Sequence, residues 1–505
     1  MTIYNINRGI GWASSGVEYA QAYRASILRK LGETSKFVFT DMFQGENLAH
    51  FTANIGFKDD EIIWLYGFFT DIRIAPTTYS LSDFERSLST AFQKTSQTDA
   101  TVHYTLSGKE CSVVCFLRKD HPQVVQRVEY LSRGKLIRKD YFSYTKMFSE
   151  YYAPKDGVAH LYQRSFFNED GSIAYEEQCR DGQSLYYFPD GILFSKEELL
   201  ARFFTELELT SQDLLLVDRS TGIGQALLRH RGAAKVAVVI HAEHYSAPSL
   251  TEKTILWNNY YEYMFTHADQ VDAFITSTQL QQQVLEEQFR LYSKHQPRIV
   301  TLPVGSIDVL RQPQEGRRPF SLLTCSRLAS EKHIDWLVEA VVRVQAELPE
   351  VQFSIYGAGG EEAALRQRIE DRGAQDFIHL MGHQDLTDRY QQYEMYLTAS
   401  TSEGFGLTLM EAVGSGLPII GLDVPYGNPT FVTDGENGYL IPRTDPDDSR
   451  HYAQLFAKKI VAAYRSGQLP AWHAASYERA KDFLTDRLEE AWQAFIKEMC
   501  HDSVV

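Results

Sequence analysis

The chain has 505 residues, too many for one compact core, and its 44% hydrophobic and 23% charged residues are those of an ordinary globular protein. Its 66 acidic and 50 basic residues give a net charge of −16, which argues against nucleic acid or anionic lipid as the main partner. No apolar run approaches the roughly 20 residues of a membrane span, and the first residues lack a signal-peptide pattern. We therefore expect a cytoplasmic protein with two or three domains and at most peripheral contact with the cell membrane.

The first 50 residues predict a short strand, a glycine-containing turn and a helix. The turn extends from Arg8 to Gly16, and the helix extends from Val17 to about Leu31, where Gly32 ends it. Glycine at the start of a helix lets backbone N–H groups come close to a phosphate. The candidate phosphate-binding residues of this segment are Gly16, Val17, Glu18 and Tyr19.

From about residue 55 to 200 the pattern changes to aromatic segments with a period of two. Turn sequences separate these segments near residues 134, 171, 182 and 191, which is typical of successive β-hairpins. Residues 161–194 in particular predict a β-meander with Tyr and Phe on one face. The aromatic face and open strand edges could serve a polypeptide or a second subunit.

After residue 200 the chain alternates strands and helices. Apolar runs at 214–218, 236–240 and 272–276 are typical of parallel strands that are covered on both faces. A second alternating block begins near Phe320, and amphipathic helices are predicted from about 472 to 500.

These patterns predict an α/β protein with two doubly wound, Rossmann-like domains facing across a cleft, and a β-rich meander inserted into the first domain. We expect the first domain at 1–54 plus 200–305 and the inserted domain, for acceptor or partner binding, at 55–199. The second domain is expected at 306–480. Residues 481–505 should form a helix that packs back on the first domain.

The most informative segment is the stretch 401–420, where seven residues separate Glu403 from Glu411. Eight steps of about 100° bring a side chain within roughly 80° of its start, so one rigid helix would not align the two carboxylates. The glycines between them instead predict Glu403 on a strand-end loop and Glu411 on the following helix. Carboxylates bind sugar hydroxyls, and a helix N-terminus binds phosphate, so this unit suits a sugar diphosphate. The binding residues expected here are Glu403, Gly404, Phe405, Gly406, Leu407 and Glu411.

A charged loop follows the first strand of the second block. It contains Arg327 and Lys332, which could clamp a diphosphate and neutralise the charge that builds on a leaving group. No carboxylate cluster with metal-ligand spacing accompanies them, and the five cysteines are scattered, so we expect neither a metal nor a cofactor.

Three other candidates lie where strands are predicted to end. His241 follows the strand 236–240 at the edge of the proposed cleft, with His244 as the alternative. Gly357 could approach a nucleotide, although an ordinary strand-to-helix turn explains it equally well. His383 and Gln384 follow the strand 377–381.

The E-x7-E string from Glu403 to Glu411 and the S-R-L-x-x-E-K string from Ser326 to Lys332 resemble the signatures of retaining glycosyltransferases of the GT-B fold. The resemblance covers roughly residues 1–50 and 200–480. It implies that His241 contacts the donor sugar, that His383 and Gln384 meet the uracil edge through backbone groups, and that Glu411 binds the ribose hydroxyls. The catalytic residues that it implies are Glu403, Arg327, Lys332 and His241.

The opening residues 1–16 together with the β-rich insertion resemble, more closely, the GtfA subunits of bacterial transferases that glycosylate serine-rich-repeat adhesins. This resemblance implies UDP-N-acetylglucosamine as donor, Ser/Thr hydroxyls of an adhesin as acceptor and a GtfB-type partner subunit. It also implies retention of configuration without a metal. The leaving phosphate would take the acceptor proton, helped by Arg327 and Lys332.

Three alternatives remain at this point. A transferase that makes a lipid-linked sugar or a polysaccharide would share the signatures, but a large β-rich insertion fits a protein acceptor better. A sugar-nucleotide 2-epimerase shares the two-domain fold and would not need the insertion. A non-catalytic partner subunit should have lost donor-site residues, whereas Glu403, Glu411, Arg327 and Lys332 are all present.

Overall fold

The computed structural model describes residues 1–12, 15–106, 110–444 and 448–500. The N-terminal elements are β1 (Ile3–Asn7), α1 (Gly16–Lys30), β2 (Ser35–Phe39), α2 (Leu48–Asn54), β3 (Ile62–Trp64) and α3 (Leu81–Ser87). A capping box starts α1, because the Ser15 side chain accepts from the Val17 N–H while the Ser15 N–H donates to Glu18 at 2.6 Å. In the predicted turn before this helix, residues 13 and 14 lie outside the described residues.

Ten strands then form one antiparallel sheet in simple meander order. They are β4 (Phe92–Gln97), β5 (Thr101–Leu106), β6 (Cys111–Leu117), β7 (Val125–Ser132), β8 (Lys135–Phe142), β9 (Lys146–Lys155), β10 (Val158–Phe167), β11 (Ile173–Arg180), β12 (Gln183–Phe188) and β13 (Gly191–Leu193). The turn Arg133-Gly134 has φ of 49° and 75°, and Asp181-Gly182 has φ of 49° and 80°. Two successive positive φ values match the twist of a two-residue hairpin, which is why glycine occupies the second position.

The first parallel sheet resumes after this insertion. Its later elements are α4 (Lys196–Glu206), β14 (Leu214–Val217), α5 (Gly224–His230), β15 (Lys235–Ile240), α6 (Glu262–Thr266), β16 (Ala273–Thr276), α7 (Gln279–Tyr292) and β17 (Ile299–Thr301). The strand order is β17-β16-β15-β14-β1-β2-β3. The predicted boundary at residue 55 is corrected here: β3 pairs in parallel with β2 and so belongs to the first domain. Its short aromatic run could not be distinguished from the hairpin strands that follow.

The second parallel sheet has the order β20-β19-β18-β21-β22-β23. Its elements are β18 (Ser321–Cys325), α8 (Ile334–Gln345), β19 (Gln352–Tyr356), α9 (Glu362–Asp371), β20 (Ile378–Gly382), β21 (Met395–Thr398), α10 (Leu407–Gly414), β22 (Ile419–Asp423), α11 (Gly427–Phe431) and β23 (Gly438–Pro442). The strand order reverses between β18 and β21, as it does between β1 and β14 in the first sheet. Ligands of open α/β sheets bind beyond the strand ends at such switch points, so the topology itself marks two facing positions.

Three helices complete the chain: α12 (Ser449–Arg465), α13 (Leu469–Ala480) and α14 (Thr485–Cys500). The last helix buries Trp492 and Phe495 against Ile3 and Leu28 of the first domain. Lys30 on α1 forms an ion pair with Glu489 at 2.8 Å. Helix α14 therefore returns across the second domain to the first.

The inserted sheet is attached to the first domain through an aromatic row. The rings of Tyr141, Phe148, Phe166, Tyr175 and Phe188 follow one another across five strands, with centroids 4.4 to 5.7 Å apart. All but Phe188 are buried, and all five join the core cluster that contains β2 and β3. The far end of the sheet has a separate core around Phe84 and Val113. The predicted fold class, two doubly wound domains with a β-rich insertion, is confirmed. Among the described residues, no helix is long and apolar enough to cross a membrane.

Candidate active site

Strand-end loops of the two domains meet at Gly404, which follows β21 in the second domain. A Cβ atom on this residue would lie 2.4 Å from the carbonyl oxygen of His241, which follows β15 in the first domain. No side chain fits at that distance, so glycine is required for the two strand-end loops to touch. The predicted neighbours Glu403 and His241 are thereby brought to the same cleft from different domains.

Lys332 and Glu403 form the central ion pair of the second domain. The Lys332 Nζ atom lies 2.8 Å from Glu403 Oε2 and donates to Ser400 Oγ at 3.2 Å. Both charged side chains are about one-fifth exposed. The sequence predicts both residues, and the topology explains their meeting, because Lys332 follows β18 and Glu403 follows the neighbouring strand β21.

Arg327 lies on the same loop as Lys332 but has a different partner. Its guanidinium donates to Glu331 at 2.7 Å and its side chain is 71% exposed. An exposed ion pair of this kind contributes little free energy, so a bound diphosphate could draw the guanidinium away from Glu331. Gly357, with φ of 126°, supports this loop, since a Cβ atom there would lie 1.8 Å from the Ser326 carbonyl oxygen. This contact gives Gly357 a packing role.

The residues between the two glutamates mostly serve packing. The Phe405 ring is buried against Phe431 and Phe483, and Leu407 lies against Gly305 between the two domains. The Phe405 side chain is buried, which leaves the backbone of that residue to a ligand, whereas Leu407 is half-buried. Gly406 has φ of 88° and starts α10.

Glu411 lies on α10 and is half-buried. Burial raises its pKa, while hydrogen bonds from Tyr390 and Tyr23 stabilise the charged form. Tyr390 donates to Oε2 at 2.9 Å. Tyr23 belongs to α1, so this carboxylate, like Gly404, joins the two domains. The sequence did not indicate either tyrosine.

His241 is held by a buried carboxylate. Its Nε2 atom lies 2.7 Å from Asp218 Oδ1, and Asp218 also accepts from Arg24 at 2.5 Å and from Gln21 at 2.7 Å. Burial opposes the charge on Asp218, but Arg24 and His241 outweigh it and lower the pKa of Asp218 to about 2. The carboxylate is therefore ionised and fixes the orientation of the imidazole ring.

Asp218 and its neighbour Arg219 were missed by the sequence analysis. Arg219 donates to Ser15 Oγ at 3.0 Å, at the start of α1. A signal existed: two charged residues directly follow the wholly buried strand β14, and charges at the end of a buried parallel strand face the ligand crevice.

Only part of the predicted phosphate-binding segment at the start of α1 is accessible to a ligand. Gly16 is exposed, and no described atom lies within 4 Å of a Cβ placed on it. The Glu18 side chain, in contrast, is buried and caps the helix, so only the backbone of this residue could contact a ligand. Val17 is half-buried and Tyr19 is 39% exposed. Gly16, Val17 and Tyr19 remain accessible at this helix start.

The other two candidates lie at the end of β20. His383 is exposed, and Gln384 donates to the Met381 carbonyl at 2.8 Å. The Gly357 N–H donates to the Gly382 carbonyl at 2.9 Å, which links this loop to the Arg327 loop. His244, the alternative to His241, is fully buried. In the described part of the chain, no group of three or more His, Cys, Asp or Glu side chains is placed to hold a metal ion.

Comparisons with known proteins agree with this architecture. Residues 319–460 match the family model of glycosyl transferases group 1, and residues 94–190 match the GtfA extended beta-sheet domain. A relative from Streptococcus agalactiae, the UDP-N-acetylglucosamine–peptide N-acetylglucosaminyltransferase GtfA subunit, is 54% identical over 506 residues, which cover 100% of both chains.

Solved structures give the same result. The pneumococcal O-GlcNAc transferase GtfA, crystallised in complex with UDP and GlcNAc, has a TM-score of 0.95 and 53% identity, with 99% of each chain covered. A chain of a crystallised GtfA/B complex has a TM-score of 0.93 and 52% identity, again with 99% coverage of each. The chain therefore belongs to the GtfA subunit family, and it is a glycosyltransferase of the GT-B fold.

Proposed function

We propose that this chain transfers N-acetylglucosamine from UDP-N-acetylglucosamine to Ser/Thr hydroxyls of a serine-rich-repeat adhesin, with retention of configuration, together with a GtfB-type partner subunit. The observation that carries the proposal is the Lys332–Glu403 pair at 2.8 Å, facing the His241–Asp218 pair across the contact at Gly404. The proposal is supported by the 54% identity of the chain, over its full length, to a peptide N-acetylglucosaminyltransferase subunit.

The charges of the second domain suit the departure of UDP. When the bond between the anomeric carbon and the β-phosphate oxygen breaks, negative charge builds on the diphosphate. Lys332 is held in place by Glu403 and Ser400, and a preorganised cation at a developing charge is an effective catalytic group. Arg327 would add a second positive charge after leaving Glu331.

The acceptor hydroxyl then forms the new bond to the anomeric carbon on the face that UDP leaves. Its proton passes to the departing phosphate oxygen, so configuration is retained and no separate base is required. Glu403 accepts hydrogen bonds from sugar hydroxyls in this scheme, and His241 presents the Nδ1 side of its ring to the donor sugar, since Nε2 is engaged by Asp218. Glu411 and the start of α1 complete the donor site at the ribose and the phosphates.

The inserted sheet is the surface that we assign to the protein acceptor and to the partner subunit. It is ten strands wide, and its edge strand β4 is exposed along its whole length. An open edge of this kind can pair with another chain. A nucleotide-sugar site built at two parallel-sheet switch points does not need it.

The deciding experiment incubates the purified chain, with and without the partner subunit, with UDP-N-acetylglucosamine and a serine-rich peptide. We expect N-acetylglucosamine on Ser or Thr in the anomeric configuration of the donor, and loss of the product in Glu403→Gln. Transfer to lipid extracts or polysaccharide instead of the peptide, or epimerised UDP-sugar without peptide, would replace the proposal by one of the alternatives.

A further inference from the structure

A row of hydrogen bonds crosses from the first domain to the second beside Glu403. Gln288 on α7 accepts at Oε1 from His244 Nε2 at 2.8 Å, and His244 Nδ1 lies 3.2 Å from the Tyr426 hydroxyl of the second domain. The exposed fractions of Gln288, His244 and Tyr426 are 5%, 0% and 1%. The His244 and Tyr426 rings are also stacked, with centroids 5.7 Å apart.

The row continues directly to the catalytic pair. The N–H groups of Tyr426 and Gly427 donate to the Glu403 carbonyl oxygen at 2.7 and 2.8 Å. The Glu403 carboxylate in turn holds Lys332. Gly427 fits closely, because a Cβ atom on it would lie 2.2 Å from the Phe405 carbonyl oxygen and 3.1 Å from Glu403 Cγ. A shift of Tyr426 would therefore move the Glu403 backbone.

The chemistry of His244 suits a fixed bridge. Trp257 and Phe265 surround its ring with aromatic surface, and burial lowers its pKa to about 4. The neutral ring has one donor nitrogen and one acceptor nitrogen. Nε2–H donates to the Gln288 oxygen, and Nδ1 accepts from the Tyr426 O–H. A buried hydroxyl that lost this acceptor would be left without compensation, so the bridge favours one position of Tyr426.

We infer that His244 and Tyr426 are positioning residues for sugar transfer: their hydrogen bond across the domain boundary holds the Glu403 loop, and with it Lys332, opposite His241. The inference rests on the proposed function. It assigns His244 a role behind the site, through Tyr426, in place of contact with the donor.

The test variant is Tyr426→Phe, which removes one hydroxyl and keeps the stacked ring and both N–H bonds to Glu403. We expect kcat for peptide glycosylation and for slow donor hydrolysis to fall about tenfold, because a small displacement of positioned groups is costly in catalysis. The affinity for UDP alone should change less than twofold. His244→Phe should behave similarly, and the double variant should lose no more than the worse single variant, since both remove the same bond.

The matched control is Tyr452→Phe. Tyr452 is also fully buried in the second domain and its hydroxyl bonds Thr444, but Tyr452 packs in the core cluster on the face of the second sheet covered by α8 and α12. It should lower Tm and leave kcat unchanged. If Tyr426→Phe lowers Tm as the control does and keeps kcat within twofold of wild type, the bridge is structural only and the inference is overturned. Wild-type protein without transfer or hydrolysis would instead mean that the proposed function has failed.

Discussion

The Glu403 loop and the ten-stranded inserted sheet are stabilised by opposite means. The loop is fixed by a few polar contacts from two domains and by glycines at which no Cβ atom fits, such as Gly404 and Gly427. The sheet is held by repetition: one aromatic ring follows another from strand to strand, and beside that row Arg164 bonds Glu150 at 2.9 Å and Glu177 at 2.8 Å. A single substitution should therefore lower activity more in the loop than in the sheet, and changes on the open edges of the sheet should leave the stability of the protein nearly unchanged.

The largest effect is expected at Lys332. Lys332→Ala removes the cation that we propose faces the diphosphate while the fold persists, so turnover should fall by roughly two to three powers of ten. Glycosylation kinetics and Tm, measured on the same preparation, check this. A folded variant with activity within about threefold of wild type would remove Lys332 from the donor site.

Arg327→Ala tests the second cation of the proposed donor site, and Arg366→Ala is its matched control. Arg327 forms an exposed i,i+4 pair with Glu331, and Arg366 forms an exposed i,i+4 pair with Glu362 in the same domain. Loss of either pair should leave Tm nearly unchanged. Only Arg327→Ala should lower kcat, by roughly ten- to a hundredfold, if its guanidinium reaches the leaving phosphate. Equal kinetics for the two variants would assign Arg327 to the surface.

Sequence motifs point to the loop because the chemistry that they indicate is local. Glu403 and Lys332 follow predicted strands, and parallel strand ends converge by topology. The sequence did not indicate Asp218 or Tyr426, because each acts through a residue that is distant in the chain. Asp218 contacts His241, 23 positions away, and Tyr426 contacts His244, 182 positions away. Phe405 was assigned to the ligand from its place in a motif, whereas the aromatic cluster with Phe431 decides its orientation.

The fold was predictable to a similar extent and for similar reasons. Alternating apolar runs and hairpin turns predicted both parallel sheets and the meander. The membership of β3 depends on pairing with β2, which a three-residue strand does not encode locally. Phe166 and Tyr175 of the meander lie in the core of the first domain, so removal of residues 161–194 would damage that domain as well.

A cleaner test of the inserted sheet changes its edges. Ile192 and Phe194 lie at the β13 edge with 46% and 65% exposure, and Phe92 lies on β4 with 38% exposure. A charge at an exposed edge disfavours pairing with another chain. We expect Glu at one of these edges to weaken partner binding and peptide glycosylation by about tenfold or more while donor hydrolysis stays within twofold, as measured by pull-down and by UDP release. Parallel loss of hydrolysis would show that the sheet supports the donor cleft.

The boundary between the two parallel domains should respond to acid through His244. Burial lowers its pKa from 6.5 to about 4, so the unfolded chain binds a proton that the folded chain does not, and stability falls as the pH drops from 6.5 to 4. The shift corresponds to about 3 kcal/mol. His244→Gln lacks this titration, so the stability difference between wild type and variant should narrow over that range in Tm measurements. Parallel pH curves would mean that His244 is already accessible to protons.

The smallest expected effect is that of a chelator. The proposed site opposes the diphosphate with Lys332, fixed by Glu403 and Ser400, and with Arg327, whose exposed pair with Glu331 breaks at little cost. Two positive charges can neutralise a leaving diphosphate as a divalent cation does, so wild-type activity should be unchanged by EDTA and by added Mg²⁺ or Mn²⁺. The same addition to Lys332→Ala makes the test sharper, because a cation that substitutes for the missing ammonium group would restore part of its activity. Loss of wild-type activity with EDTA and recovery with Mg²⁺ would contradict the proposal and assign the charge neutralisation to a bound metal.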